Sequence, residues 1–135
     1  MSSILKKFIP AIVWFIVVTT LFLIPGSEFP QEDWFEKIYL DKLVHIVFIF
    51  LLVYLFYYPL RHQQYNWLLL LVCAGILYGI SIEFIQKYWV KGRSFELADI
   101  VCDIVGCALA YVIGNQTRSH QKKVSPCGNR GRNQN

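Results

Sequence analysis

The sequence predicts an all-α polytopic membrane protein, a bundle of four transmembrane helices with a short interfacial helix between the first and the second. Three observations predict it. Of the 135 residues 56% are hydrophobic and 16% aromatic, more than the ~45–50% apolar share of soluble domains. Charges are absent from long stretches and crowded between them, as expected where each stretch satisfies its backbone polar groups as a helix in lipid. Those stretches are apolar around most of their circumference rather than along one stripe, which sets aside a soluble four-helix bundle.

Segment one covers residues 8–24, begins after Lys6 and Lys7 and carries no charge. Pro10 falls in its first turn, where the missing N–H costs nothing, and Pro25-Gly26 stops it. It resembles a secretory signal in position, but Ile24-Pro25-Gly26-Ser27 lacks a small-x-small cleavage pattern, so it reads as a retained helix. Residues 27–42 differ in character. Pro30 suits the first position of a helix, after which Trp34, Phe35, Ile38 and Tyr39 share one side and Glu32, Asp33, Glu36 and Lys37 the other. A short interfacial helix over 30–40 follows, with an irregular acidic loop as the alternative.

Segment two, residues 43–58, is interrupted only by His45 and ended by Pro59. Segment three, residues 67–86, has Asn66 as its expected N-cap, and Trp67 and Trp89 are placed at opposite membrane interfaces. Segment four, residues 95–113, carries Glu96, Asp99 and Asp103 in its first half and no charge afterwards. The membrane domain is thus 1–114, and the Gln, Asn, Lys and Arg-rich stretch 115–135 is expected to be a disordered basic cytoplasmic tail. The segments fall slightly short of the ~20 residues that span the hydrocarbon, a gap that snorkelling ends close. Cys73, Cys102 and Cys107 lie in apolar segments as small hydrophobes and Cys127 lies in the tail. No cysteine pair has zinc-ligand spacing, so no cofactor or metal is assigned.

With four crossings both termini share a side. That side holds Lys6, Lys7, Arg61, Arg118, Lys122, Lys123, Arg130 and Arg132, eight of the 13 basic residues, against Lys37, Lys42, Lys87, Lys91 and Arg93, the other five. The positive-inside rule then places a multi-pass protein in the cytoplasmic membrane with both termini in the cytoplasm. All nine carboxylates fall at the opposite end. Acidic residues contribute little to insertion, so this segregation points to a polar site in the outer half of the bundle.

Three motifs converge there: Asp41-Lys42-x-x-His45 opens segment two, Glu83-x-x-Gln86 closes segment three, and Arg93 followed by Asp99 and Asp103 leads into segment four. Gly75, Gly79 and Glu83 form one stripe at four-residue spacing, and Asp99, Asp103, Gly106 or Cys107, and Ala110 form another. Small residues at that spacing let helices approach closely in lipid, so segments three and four are expected to pack through these stripes and aim Glu83 at Asp99 and Asp103. Asp41 and His45, also four apart, complete the cluster. A charged side chain at a helix centre costs ~2.5–3.5 kcal/mol on insertion scales, so such residues are paired or functional. A purely architectural network would join Arg93 to Asp99 or Glu96, Lys42 to Asp41 and His45 to Glu83. A functional one would shuttle protons or hold a divalent cation.

The order of a Trp-containing first helix, Asp41-Lys42-x-x-His45, Glu83-x-x-Gln86, then Arg93, Asp99 and Gly106 over residues 8 to 114 resembles the VanZ-like family of small bacterial membrane proteins. The resemblance implies a four-helix integral protein of the bacterial inner membrane. Asp41, Lys42, His45, Glu83, Gln86, Arg93, Asp99 and Gly106 match the family's characteristic positions; Asp103 departs from it, standing where many members carry Asn. The family's founding member is associated with reduced susceptibility to the glycopeptide teicoplanin.

The leading expectation is recognition of a lipid-linked or amphiphilic cell-envelope ligand, a lipid-linked precursor or a glycopeptide, in an outer-leaflet pocket. Lys42 and Arg93 contact its phosphate or carboxylate, while Asp41, His45, Glu83, Gln86, Asp99 and Asp103 line the site. The alternatives are an enzyme acting on a lipid headgroup, with His45 and Glu83 as acid and base, and a structural or assembly protein whose polar network only fixes packing. Ser81, near Glu83 in sequence, points off the helical stripe and is not a convincing nucleophile. The net charge of +4 collects at the end that holds the termini, where anionic membrane lipids suffice as a partner and nucleic acid is not required.

Overall fold

The structure, a computed structural model, describes residues 3–25, 40–63 and 66–124. Its long helices are α1 (Ile9–Phe22), α2 (Leu40–Tyr57), α3 (Trp67–Trp89) and α4 (Leu97–Val124). A single helical turn, Ser3–Lys6, precedes α1, and a 3-10 turn, Tyr58–Leu60, follows α2.

Each helix starts and stops for a local reason. Pro10 occupies the first turn of α1, and the helix closes on Leu23, whose N–H bonds the carbonyls of Thr19 and Thr20, two residues short of Pro25. Thr19 and Thr20 return their hydroxyls to the carbonyls of Phe15 and Ile16, at 2.7 and 2.8 Å, so no polar group of this β-branched run faces lipid unbonded. Pro59 lacks the N–H that would continue α2, and the chain tightens into the 3-10 turn there. After α3, Gly92 turns the chain at a φ of 74°, a left-handed conformation that a side chain disfavours, and so delivers Arg93 to the start of the next helix.

α2, α3 and α4 are long and apolar enough to cross a membrane, over Asp41–Leu60, Trp67–Trp89 and Leu97–Ser119. The 23 residues of α3 extend roughly 34 Å at 1.5 Å per residue, and Trp67 and Trp89 stand at its two ends. α1 is shorter: its 14 residues reach roughly 21 Å, although helical-type bonds continue outward from Phe8 N–H to the Leu5 carbonyl and from Ile24 N–H to the Leu21 carbonyl.

The packing is inverted relative to a water-soluble bundle. Ile16, Leu69, Leu77, Val101, Leu109 and Val112 are exposed, whereas His45, Glu83, Gln86, Asp99 and Asp103 are buried. Water would penalise both halves of that arrangement and lipid favours both. The protein is a membrane protein.

α2 and α4 form the most extensive helix pair, α3 packs against both, and α1 rests chiefly on α2. Val18 and Phe22 of α1, Ile49, Leu52 and Val53 of α2, Ile82 of α3, and Cys107 and Ala110 of α4 make the apolar core. Small residues set the distances. A Cβ on Gly106 would stand 2.5 Å from the carbonyl oxygen of Ile46, so α2 and α4 meet backbone to backbone. A Cβ on Gly75 would meet Val53 and Cys107 at 2.7 and 2.9 Å. Of the expected small-residue stripes, Gly75 and Gly79 do face α4, at Cys107 and Asp103, whereas Gly106 faces α2 rather than α3.

Two expectations change. Asn66 does precede α3 but makes no side-chain cap; its Oδ1 accepts from Arg118 Nη1 at 3.2 Å instead. That bond and the one from the Tyr57 hydroxyl to the Gly114 carbonyl, 3.2 Å, tie α4 to the rest of the bundle at the end opposite the acids. The stretch expected to lose order at 115 instead continues α4 through Val124. A helix already nucleated in the bundle extends at little cost through Gln, Arg and Lys, all good helix formers. The interfacial helix expected over 30–40 and the tail beyond 124 lie outside the described residues.

Candidate functional site

The N-terminal turns of α2 and α4, the last two turns of α3 and the C-terminus of α1 form one end of the bundle. Asp103 and Glu83 each sit six residues inside their helices, roughly 9 Å below the ends at 1.5 Å per residue. His45, five residues into α2, faces them.

The centre is a His–Asp contact. His45 Nδ1 lies 3.0 Å from Asp103 Oδ1, with the two residues 0% and 2% exposed. With an ionised carboxylate at this position, which only accepts, the ring proton sits on Nδ1, and a neutral imidazole then turns its Nε2 lone pair elsewhere. Nε2 lies 3.9 Å from Asp99 Oδ2. The imidazole is fixed from its face by Phe22, whose ring stacks at 4.5 Å between centroids and 20° between planes. Asp103 fits because Gly79 has no side chain: a Cβ there would collide with the Asp103 carboxylate, meeting Oδ2 and, at 2.9 Å, Cγ.

Bases ring this centre. Lys42 Nζ reaches Glu96 Oε2 at 2.9 Å and Asp99 Oδ1 at 3.3 Å, and Arg93 Nη1 reaches Asp41 Oδ1 at 3.4 Å. Glu83 accepts the backbone N–H of Glu96 at Oε2, 3.1 Å. A buried side chain of α3 thus satisfies a donor at the start of α4 that has no helical acceptor. Gln86 does the converse for α1, donating from Nε2 to the Phe22 carbonyl at 2.9 Å, one of the unpaired carbonyls of that helix end. Among the described residues, no protein group hydrogen-bonds to His45 Nε2, Glu83 Oε1 or Asp103 Oδ2, all buried. Asp41, His45 and Asp99 can each offer one donor atom within 4.8 Å of the others.

Comparison with known proteins now has a geometry to meet. The model of the VanZ/LLP1 family matches residues 5–116, most of the chain and every residue of this cluster. The chain belongs to the VanZ/LLP1 family. A Schizosaccharomyces pombe relative, "Uncharacterized protein C11E3.10", is 37% identical over 75 residues, which is 54% of this chain and 45% of that protein. The match therefore spans under half of the yeast protein's length. No solved structure matches the chain.

In this VanZ/LLP1 chain all eight residues expected at the site, Asp41, Lys42, His45, Glu83, Gln86, Arg93, Asp99 and Asp103, come to the same end, but their pairings differ from the expected ones. Arg93 meets Asp41 rather than Asp99 or Glu96. Lys42 reaches across to α4 rather than to its neighbour Asp41, because Asp41 projects from a different side of the same turn. His45 meets Asp103 rather than Glu83, since Gly79 opens room for the Asp103 carboxylate one turn away from Glu83. Gln86 serves α1 and not the acids. Phe22 against His45 was not singled out from the sequence. Gly79 was expected as a helix-packing glycine rather than as the room for Asp103, and Glu96 as a partner of Arg93 rather than of Lys42. Ser81 is exposed, as expected, and bonds the Leu77 carbonyl at 2.7 Å.

Proposed function

We propose that this VanZ/LLP1 protein crosses the cytoplasmic membrane four times with both termini in the cytoplasm. In its outer half a polar pocket recognises the anionic headgroup of a lipid-linked or amphiphilic envelope ligand. One observation carries this reading. Lys42 and Arg93 form the rim of a buried acidic centre, and the carboxylates they hold outward, Glu96 and Asp41, have side chains 47% and 51% exposed. An exposed ion pair contributes ~0–1 kcal/mol, so a phosphate or carboxylate exchanges for Glu96 or Asp41 at little cost. Arg93 offers such a group a planar fork and Lys42 a point charge.

The buried Asp99 and the half-exposed Glu96 hold Lys42 in place before any ligand arrives, which cuts the entropy lost on binding. A headgroup phosphate or carboxylate is a chemistry that every membrane offers, which suits a rim of one lysine and one arginine. A glycopeptide with a lipid tail would present the same pair of features, which is how the reading connects to teicoplanin susceptibility.

Binding of phosphatidylglycerol and of teicoplanin to the protein purified in a neutral detergent tests it. Arg93→Ala and Lys42→Ala are each expected to weaken binding at least about tenfold, or ~1.4 kcal/mol, with the fold retained. Equal binding by parent and both variants removes the headgroup reading.

A further inference from the structure

The end of the bundle that holds the acids contains a ligand set of a different kind from a headgroup rim. We infer that Asp41, His45 and Asp99 bind a divalent first-row transition-metal cation, with Asp103 orienting the imidazole.

The argument begins at His45. Its Nδ1 is engaged by Asp103 at 3.0 Å, and its Nε2, fully buried, has no hydrogen-bond partner among the described residues, the nearest acceptor being Asp99 Oδ2 at 3.9 Å. Metal-ligating histidines characteristically donate their other ring N–H to a carboxylate, which fixes the tautomer and raises the basicity of the ligating nitrogen. The Asp103–His45 pair has that form, and stacking on Phe22 holds the ring plane. Leaving such a nitrogen without a hydrogen bond in a buried site is unfavourable, a cost that a ligand on Nε2 removes.

The neighbours of Nε2 are oxygen donors. Asp99 Oδ2 lies 3.9 Å away, on the carboxylate oxygen that Lys42 does not use. Asp41, one helical turn before His45 on the same face, brings the third donor, and the three lie within 4.8 Å of one another. Bonds of ~2.0–2.2 Å in a tetrahedral site put donors roughly 3.4 Å apart, so small side-chain rotations close the set. Asp41 is the exposed member, so the fourth position faces the bundle end, the arrangement of an open rather than a sealed site.

Charge points the same way. Asp41, Glu83, Glu96, Asp99 and Asp103 share this end, and among the described residues the ion pairs they make engage Lys42 and Arg93 besides His45 itself. A divalent cation offsets charge that those bases leave. Lys42 opposes it at Asp99 but is also held by Glu96 at 2.9 Å, a partner it keeps when Asp99 turns to the metal. One imidazole with two carboxylates suits zinc, iron or manganese better than calcium or magnesium, which favour all-oxygen sets. The sequence placed these residues at one end and left a divalent cation as one reading of the cluster; which three of them converge was not legible, because Asp99 comes from a helix 54 residues downstream of His45.

The test is Co2+ titration of the full chain in detergent after chelation, read by its visible d–d absorption, followed by displacement with Zn2+. One saturable Co2+ per chain, displaced by Zn2+, is expected. Asp103→Asn, which touches no metal, should weaken binding about 10–100-fold through His45, as loss of such an orienting group does. Asp41→Asn, at an exposed position, should weaken binding at least about tenfold with an unchanged thermal transition of the metal-free protein. No saturable spectrum in the parent, retention of parental affinity in Asp41→Asn, or displacement by Mg2+ but not by Zn2+ would each overturn the assignment. Since the titration uses the metal alone, loss of headgroup binding in Arg93→Ala leaves its outcome untouched.

Discussion

Asp103 and His45 meet across the α2–α4 interface with Oδ1 3.0 Å from Nδ1, sealed from solvent and buttressed by a glycine on one side and a phenylalanine ring on the other. Two polar groups are therefore committed to each other in the least forgiving part of the bundle. The contact also decides what His45 can offer through its second nitrogen, so it links the packing of the helices to the chemistry of the site.

Truncating that contact should be costly, and replacing it conservatively should not. Asp103→Ala leaves Nδ1 buried without an acceptor and is expected to destabilise the protein by about 2–4 kcal/mol. Asp103→Asn keeps an acceptor oxygen against Nδ1 and should cost less than half as much. Unfolding in mixed micelles by a denaturing detergent, followed by tryptophan fluorescence, measures both. Equal losses in the two variants would show that the hydrogen bond is not what stabilises this interface.

Gly106 tests close approach without touching any charge. The Cβ of Gly106→Ala would lie 2.5 Å from a backbone carbonyl oxygen, that of Ile46, which no rotamer change relieves. An overpacking cost of about 1–3 kcal/mol follows. Ala108→Val, on an exposed face of the same helix, should be near neutral in the same assay. A tolerant Gly106→Ala would mean that α2 and α4 stand further apart than the structure places them.

The convergence of the three motifs was legible because consecutive antiparallel helices bring the start of α2, the end of α3 and the start of α4 to one end of the bundle whatever their rotation. The Gly75, Gly79 and Glu83 periodicity likewise gave the packing face of α3, since a four-residue repeat stays on one side of a helix. Partner choice was not legible. It depends on how far each helix is rotated about its own axis and on the reach of long side chains: Lys42 spans to α4 while Asp41, its neighbour, turns to Arg93. The continuation of α4 past residue 114 was hidden for another reason, because Gln, Lys and Arg are as common in exposed helix as in unstructured tails.

Gln86 holds α1 by a single buried bond to the Phe22 carbonyl, and Thr19 meets Tyr78 at 2.9 Å between hydroxyls one to two turns away. With the native cysteines replaced, Thr19→Cys and Tyr78→Cys, whose sulfurs stand too far apart for a direct disulfide once the phenol is gone, should be joined by a short bifunctional thiol reagent. Adding Gln86→Leu removes the donor, and the cross-link yield is expected to fall severalfold as α1 loosens from α3. An undiminished yield would show that apolar packing of Val18 and Phe22 suffices to dock the helix.

The number of crossings rests on α1, the one long helix that falls short of the hydrocarbon thickness. Its ends carry no charge within the helix, and hydrogen bonding continues from Leu5 to Ile24, so a locally thinned bilayer accommodates it at a cost of fractions of a kcal/mol per Å. Single cysteines in a cysteine-free background, labelled with a membrane-impermeant maleimide on intact cells, decide the matter. Asp41→Cys and Arg93→Cys should label from outside, whereas Arg61→Cys and Asn66→Cys, across α2 and α3 from them, should label only after the membrane is opened. Lys6→Cys then reports on α1 alone. Protection together with Arg61→Cys means that α1 crosses and both termini are cytoplasmic, as four spans require. Labelling together with Asp41→Cys means three crossings, with the N-terminus on the side of the acidic site.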